Sequence, residues 1–222
     1  MSDSISEDKR QVAVTFMTTE HFALQGARGL TISESNGRAG LFLSSLSSAL
    51  VALGFAAQAS NFGQSFNVFA LLILPPIAFL GFVTFQRAVQ SGIEDETYSR
   101  EINRIRHFYV DMVPELRPYF SQSTTDDGIN SVVIRSRMGR RWQPFLTIAS
   151  VVGVMNSVVI GAIIGLAVNV LTRPPIAVPL TLGVIVTLGM VTVHAWYQSR
   201  EWKQDELANP AMFPHEGSAL RP

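Results

Sequence analysis

Hydrophobic and polar positions fall into long blocks along this chain instead of alternating. From Ala39 to Gln86 there is no Asp, Glu, Lys, Arg or His. About 20 apolar residues cross the hydrocarbon core of a bilayer, so this run is long enough for two crossings. Gln58, Ser60, Asn61, Gly63, Gln64 and Asn67 interrupt it. They place a turn between a first span over Ala39–Ala57 and a second, antiparallel span over Phe66–Gln86. A second pair follows at Pro144–Leu171 and Ile176–Tyr197, turned by Arg173-Pro174-Pro175. The pattern predicts an all-α integral membrane protein with four transmembrane helices.

The segments between the spans are polar. Residues 1–17, opening on the charged stretch Met1–Arg10, read as a disordered N-terminus. A cytoplasmic helix over residues 18–38 follows, with Thr18 or Thr19 as N-cap ahead of Glu20. Gly26, Gly29 and Gly37 each weaken it by about 1 kcal/mol relative to Ala. A helix feeding directly into the first span and a helix broken near Ser33–Gly37 both fit. The second span contains Pro75-Pro76, which predicts a kink. Beyond Arg87 no proline occurs until Pro114, and Ile102, Ile105, Phe108, Tyr109 and Met112 recur at helical spacing. The second helix therefore extends into the cytoplasm, as the first does.

Pro114 and Pro118 end that helix, and Ser121–Gly128 reads as a loop. Ser131–Ile134 fits a short strand or a helical turn, and Trp142 marks an interface before the third span. Residues 87–143 thus form a cytoplasmic helix and loop between the hairpins at 39–86 and 144–197. Trp196, Tyr197 and Trp202 close the fourth span beside Arg200 and Lys203. The cytoplasmic tail, 198–222, reads as disordered from Asn209 onwards.

Composition agrees with this division. Hydrophobic residues make up 47% and charged residues 15% of 222, and mean hydropathy is +0.25. The formal net charge of zero conceals a segregation. Of 17 Lys and Arg, 16 lie before the first span, between the second and third, or after the fourth, and only Arg173 lies in a hairpin loop. The positive-inside bias then places both termini and the central segment in the cytoplasm, N-in and C-in. With no cysteine there is no disulfide, thiolate metal site or cysteine nucleophile. No cleavable signal peptide is expected, so the first span serves as its own insertion signal.

Few residues offer chemistry. In the first span Ser44, Ser48 and Ala52 follow one another four residues apart, a spacing that lets helix backbones approach closely in lipid. Packing within the chain, a self-association face and the lining of a hydrated pore all remain open for this stripe. Gly161 and Gly165 form a G-x-x-x-G pair in the third span, fitting either dimerisation or packing within the chain. Asn156 in the same span is expected to bond to a neighbouring helix. His194 is the only ionisable group in any span, expected at the interface near Trp196. His107, Asp111 and Glu115 have metal-ligand spacing, but Pro114 interrupts the helix before Glu115, so no metal is expected. Glu94-Asp95-Glu96 reads as a solvated acidic cluster.

Arg135, Arg137, Arg140 and Arg141 form the sharpest polar feature. Such a cluster beside a span attracts anionic lipid headgroups at about 1 kcal/mol per residue, and its guanidinium forks also suit a phosphate ligand. Walker, G-x-S-x-G and H-E-x-x-H motifs and paired catalytic carboxylates are all absent from the sequence. An enzyme, a cofactor and a nucleic-acid partner are therefore not expected.

Two stretches carry a resemblance: Ser33-Glu34-Ser35-Asn36-Gly37-Arg38-Ala39-Gly40, running into the Ser/Ala-rich span, and Glu101-Ile102-Asn103-Arg104-Ile105-Arg106-His107-Phe108-Tyr109. Both look like stretches of uncharacterised bacterial four-helix membrane proteins. In layout, residues 18–113 resemble SLATT and Pycsar-type transmembrane effectors, where a cytoplasmic helix feeds a hairpin and a further helix follows. That resemblance implies a bacterial inner-membrane effector in which a nucleotide signal triggers permeabilisation. The expected function is a self-associating, non-enzymatic effector or pore-forming component. The alternatives are a small channel or transporter, or a scaffold that binds a cytoplasmic protein through Phe108 and Tyr109.

Overall fold

The computed structural model describes residues 7–127 and 147–214, and among these there is no strand. Four helices carry the chain: α1 over Glu7–Ser60, α2 over Gln64–Met112, α3 over Ile148–Thr172 and α4 over Ala177–Ala208. Each contains a window long and apolar enough to cross a membrane. A short 3-10 helix, Pro114–Tyr119, follows α2.

α1 starts earlier than the polar N-terminus predicts. Glu7 and Asp8 occupy its first turn, where negative charge complements the helix dipole, and no glycine or proline follows before Gly26. Nor does the helix break near Ser33–Gly37. Ser35 is buried there, and Glu34 accepts from Arg38 one turn on at 2.9 Å and from Arg87 of α2 at 3.3 Å. α2 likewise continues through Pro75 and Pro76.

The turns follow from local chemistry. Asn61 and Phe62 both take left-handed backbone, and the Phe62 N–H reaches back to the Ala57 carbonyl at 3.1 Å. Thr147 caps α3 by accepting from the Ser150 N–H at 3.2 Å. Arg173, also left-handed, closes α3 by donating its N–H to Asn169 at 3.1 Å.

The chain divides into two units, one gathering the described residues of Met1–Ser33, Gly92–Arg140 and Glu206–Pro222, the other those of Glu34–Ser91 and Arg141–Asp205. In the first unit, Leu24 of α1 meets Ile102 and Ile105 of α2, with Met17, Tyr98 and Tyr109 packed around them. In the second unit, α1 turns one face inward. Ala39, Phe42, Leu46, Ala49, Leu53 and Ala57, spaced three or four apart, are all buried. Leu74, Phe85 and Val89 of α2 and Val152 and Val159 of α3 are buried in the same unit. Leu41, Val51, Phe55, Leu72 and Phe79 stay more than half exposed, an apolar exterior suited to lipid.

Candidate functional site

Polar side chains gather at two places. The first lies on one face of α2, where Arg100, Asn103, Arg104 and His107 sit three and four residues apart. Each holds backbone or side chain from elsewhere in the first unit. Arg100 donates to the Asn209 carbonyl at 3.0 Å, and Asn103 to the Thr125 carbonyl at 3.1 Å. Arg104 donates to Asp126 at 2.6 Å. His107 Nδ1 lies 3.1 Å from the Thr124 carbonyl, and its ring stacks on Phe213 at 4.1 Å between centroids.

Asp126 is the node of this arrangement. Its side chain is fully buried, and it also accepts the N–H groups of Met212 at 2.9 Å and Phe213 at 2.8 Å. Burial opposes its ionisation. The Arg104 guanidinium and the two backbone donors outweigh that and hold the carboxyl below its ordinary value. Residues 209–214 therefore pack on α2 and Asp126 within the first unit, contrary to the disorder expected of this tail. Two large apolar residues, Met212 and Phe213, inside a proline-bracketed tail were the available signal.

The acidic cluster is not a solvated one. Asp95 takes a two-point bond from Arg28, at 2.6 and 3.3 Å, and this hydrogen bond raises the Arg28 pKa. Glu96 is largely covered, and burial pushes its carboxyl up despite Arg100 at 3.4 Å. His107 and Asp111 approach to 3.7 Å. Among the described residues no group of three ligands could hold a metal.

The second place lies among the apolar spans. Gly161 and Gly165 of α3 press on α4, where a Cβ at Gly161 would meet Thr187 and the Gly183 carbonyl, and one at Gly165 would stand 2.8 Å from the Pro179 carbonyl. Asn156 is fully buried beside Gly81, whose missing side chain makes room for its amide. The interhelical bond expected of it is absent, since among the described residues neither Oδ1 nor Nδ2 has a partner. A Cβ at Gly81 would meet both the Asn156 amide and the Phe42 ring.

His194 is also placed differently from the sequence expectation. It is buried, with Phe85 edge-on at 4.5 Å, whereas Trp196 is 60% exposed. Its Nδ1 lies 2.7 Å from the Met190 carbonyl and 3.1 Å from Ser157 Oγ. The remaining site residues of the sequence reading are not brought to either place. Ser44 and Ser48 face outward and Ala52 is half-buried. Arg135, Arg137, Arg140 and Arg141 lie outside the described residues, as do Ser131–Ile134 and Trp142.

Comparison of the chain with protein-family models, with curated proteins and with solved structures finds no match in any of the three.

Proposed function

We propose that the chain is a non-enzymatic multi-pass protein of the bacterial inner membrane that associates with copies of itself, as an effector or pore-forming component. The outward face of α1 in the second unit carries this reading. Gly37, Gly40, Ser44 and Ser48 recur opposite the buried Phe42, Leu46 and Ala49, and all four are exposed. Beyond their own stretch of helix, no atom of the described residues lies within 4 Å of a Cβ built on Gly37 or Gly40. Glycine weakens a helix by about 1 kcal/mol, and among the described residues neither glycine has a neighbour that a methyl group would crowd. In lipid, small residues act by letting a second backbone approach. Copies inserted in one bilayer share direction and depth, so this face meets its own equivalent.

The 16 of 17 basic residues outside the hairpin loops support cytoplasmic termini. Arg135, Arg137, Arg140 and Arg141 are then placed for anionic headgroups. The resemblance of residues 18–113 in layout to SLATT and Pycsar-type effectors favours a permeabilising role.

The chain has no cysteine, so a single introduced thiol is a clean probe. Oxidative cross-linking in native membranes is expected to give a covalent dimer with Ser44→Cys or Ser48→Cys and none with the inward-facing Ala49→Cys. Absence of dimer at Gly40→Cys, Ser44→Cys and Ser48→Cys alike would overturn the association. Purified protein is further expected to release dye from vesicles, and retained dye would remove the pore-forming role.

A further inference from the structure

We propose that the cavity beside His194 binds a small neutral amphiphile that donates a hydroxyl hydrogen bond to His194 Nε2. The cavity lies within the second unit and measures about 140 Å³. Space of that size holds a benzene-sized ring. Phe85, Val154, Val191 and Ala195 give it apolar walls, and His194, Gln198 and Ser199 supply its polar ones.

The hydrogen bonds determine what those polar groups can still do. A carbonyl only accepts, so the 2.7 Å contact with Met190 O places the proton of neutral His194 on Nδ1. That leaves Nε2 as a lone pair, and among the described residues it makes no hydrogen bond. The hydroxyl hydrogens nearby are committed elsewhere. Ser157 donates to Gly153 O at 2.7 Å, Ser199 to Ala195 O at 2.8 Å, and Ser150 to Gln198 Oε1 at 3.2 Å. Gln198 Nε2 in turn donates to Thr147 Oγ1 at 3.2 Å. The wall at His194 thus offers an acceptor, and a ligand there must donate.

The ligand must also be neutral. Among the described residues no carboxylate lines the cavity, so an ammonium or metal ion would lose its water against apolar walls with no countercharge there. A hydroxyl on an apolar or aromatic body satisfies both conditions. Gly153 supports the geometry, because a Cβ there would stand 3.1 Å from Phe85 and 3.3 Å from His194 Cβ. Its absence lets the two rings close over the space.

The test uses the full-length chain in nanodiscs with ¹⁵N-labelled histidine. The chain has four histidines, and the His194 signal is identified by its loss in His194→Gln. Phenol is expected to shift the Nε2 resonance saturably. It should half-saturate roughly ten-fold below toluene, the difference made by one neutral hydrogen bond. Ala195→Phe and Val191→Phe fill the same space from two turns of α4, and either folded variant should abolish the shift. Equal affinity for toluene, no saturable shift, or an undiminished shift in a filled variant would overturn the proposal. Preference for benzylamine over phenol would overturn it too, by making the site cationic.

Discussion

Replacing Asp126 with Ala is expected to free the 209–214 tail while leaving the α1–α2 contact of the first unit in place. The carboxylate accepts three hydrogen bonds, at 2.6 Å from Arg104, 2.9 Å from Met212 and 2.8 Å from Phe213. A hydrogen bond to a charged group contributes about 1.5–3 kcal/mol, but the released backbone N–H groups recover water. Net docking should therefore weaken by about 2–3 kcal/mol, the Phe213 stack on His107 holding the remainder. Hydrogen exchange at the Met212 and Phe213 amides should then accelerate roughly 30- to 150-fold. The amides of Ile102 and Ile105 report on the α2 side of the unit and should keep their protection. Asp111→Ala, which removes a side chain 72% exposed, is the control and should change neither set. Unchanged exchange at Met212 and Phe213 in a folded Asp126→Ala protein would refute the docking argument. The pH dependence has a fixed sign. The folded carboxyl is held below its ordinary value, so its contribution is complete above about pH 4 and is lost as pH falls through the depressed folded value. Tail protection should be flat from pH 5 to 7 and fall only in stronger acid.

Four further outcomes rest on the geometry. Gly161→Ala should destabilise the α3–α4 contact by about 1–3 kcal/mol, read as a lower melting temperature in detergent, because the Gly183 carbonyl stands 2.5 Å from the new Cβ. Gly189→Ala, with nothing within 4 Å, should be neutral or stabilising by up to about 1 kcal/mol. A double-mutant cycle on Arg28 and Asp95 should give a coupling of about 1 kcal/mol or less at physiological salt, since both side chains are about a third exposed. Asn156→Leu should raise stability by about 1–3 kcal/mol by removing an unpaired buried amide; a loss of stability would show that Asn156 has a partner in the membrane.

The apolar helices were legible because their signal is the absence of charge over twenty residues or more, which no local detail can mask. The helix start at Glu7 was missed because Met1–Arg10 is polar throughout, and polarity alone does not separate a solvated helix from a free chain. Docking of Met212 and Phe213 depends on Asp126, 86 and 87 residues away in sequence. No periodicity links a loop carboxylate to two backbone N–H groups at that distance. Asp95 and Glu96 were read as solvated because Arg28 lies 67 residues from Asp95, and sequence spacing reveals only partners on the same helix. Asn156 was expected to find a partner because polar groups in lipid ordinarily do. Its neighbours Gly81 and Phe42 are fixed by helix packing, which the sequence does not express.

The polar residues of the spans divide by what their own helix can satisfy. Ser47, Ser157, Thr187 and Thr192 each donate to the carbonyl four residues back, at 2.7–2.9 Å. A hydroxyl bonded in this way needs no neighbour, so lipid, another helix or a packed interior suits it equally. Asparagine differs, because its amide carries two donors and an acceptor that one helical turn does not satisfy together. A serine can always turn to this bond, so the hydroxyls at 44 and 48 say little about what covers α1. Glycine is more telling. Gly37 and Gly40 stand in open space, where alanine would make the helix firmer by about 1 kcal/mol at each position without a clash. At Gly40, the one of the two inside the first span, lipid chains adapt to a methyl group as readily as to its absence, so lipid contact alone gives no reason for glycine. A second backbone does give one, because it can approach only where the Cβ is missing. The case for self-association therefore rests on the glycines more than on the hydroxyl stripe. It makes Gly40→Leu the sharper perturbation, expected to lose the Ser48→Cys cross-link while the fold of the single chain is kept.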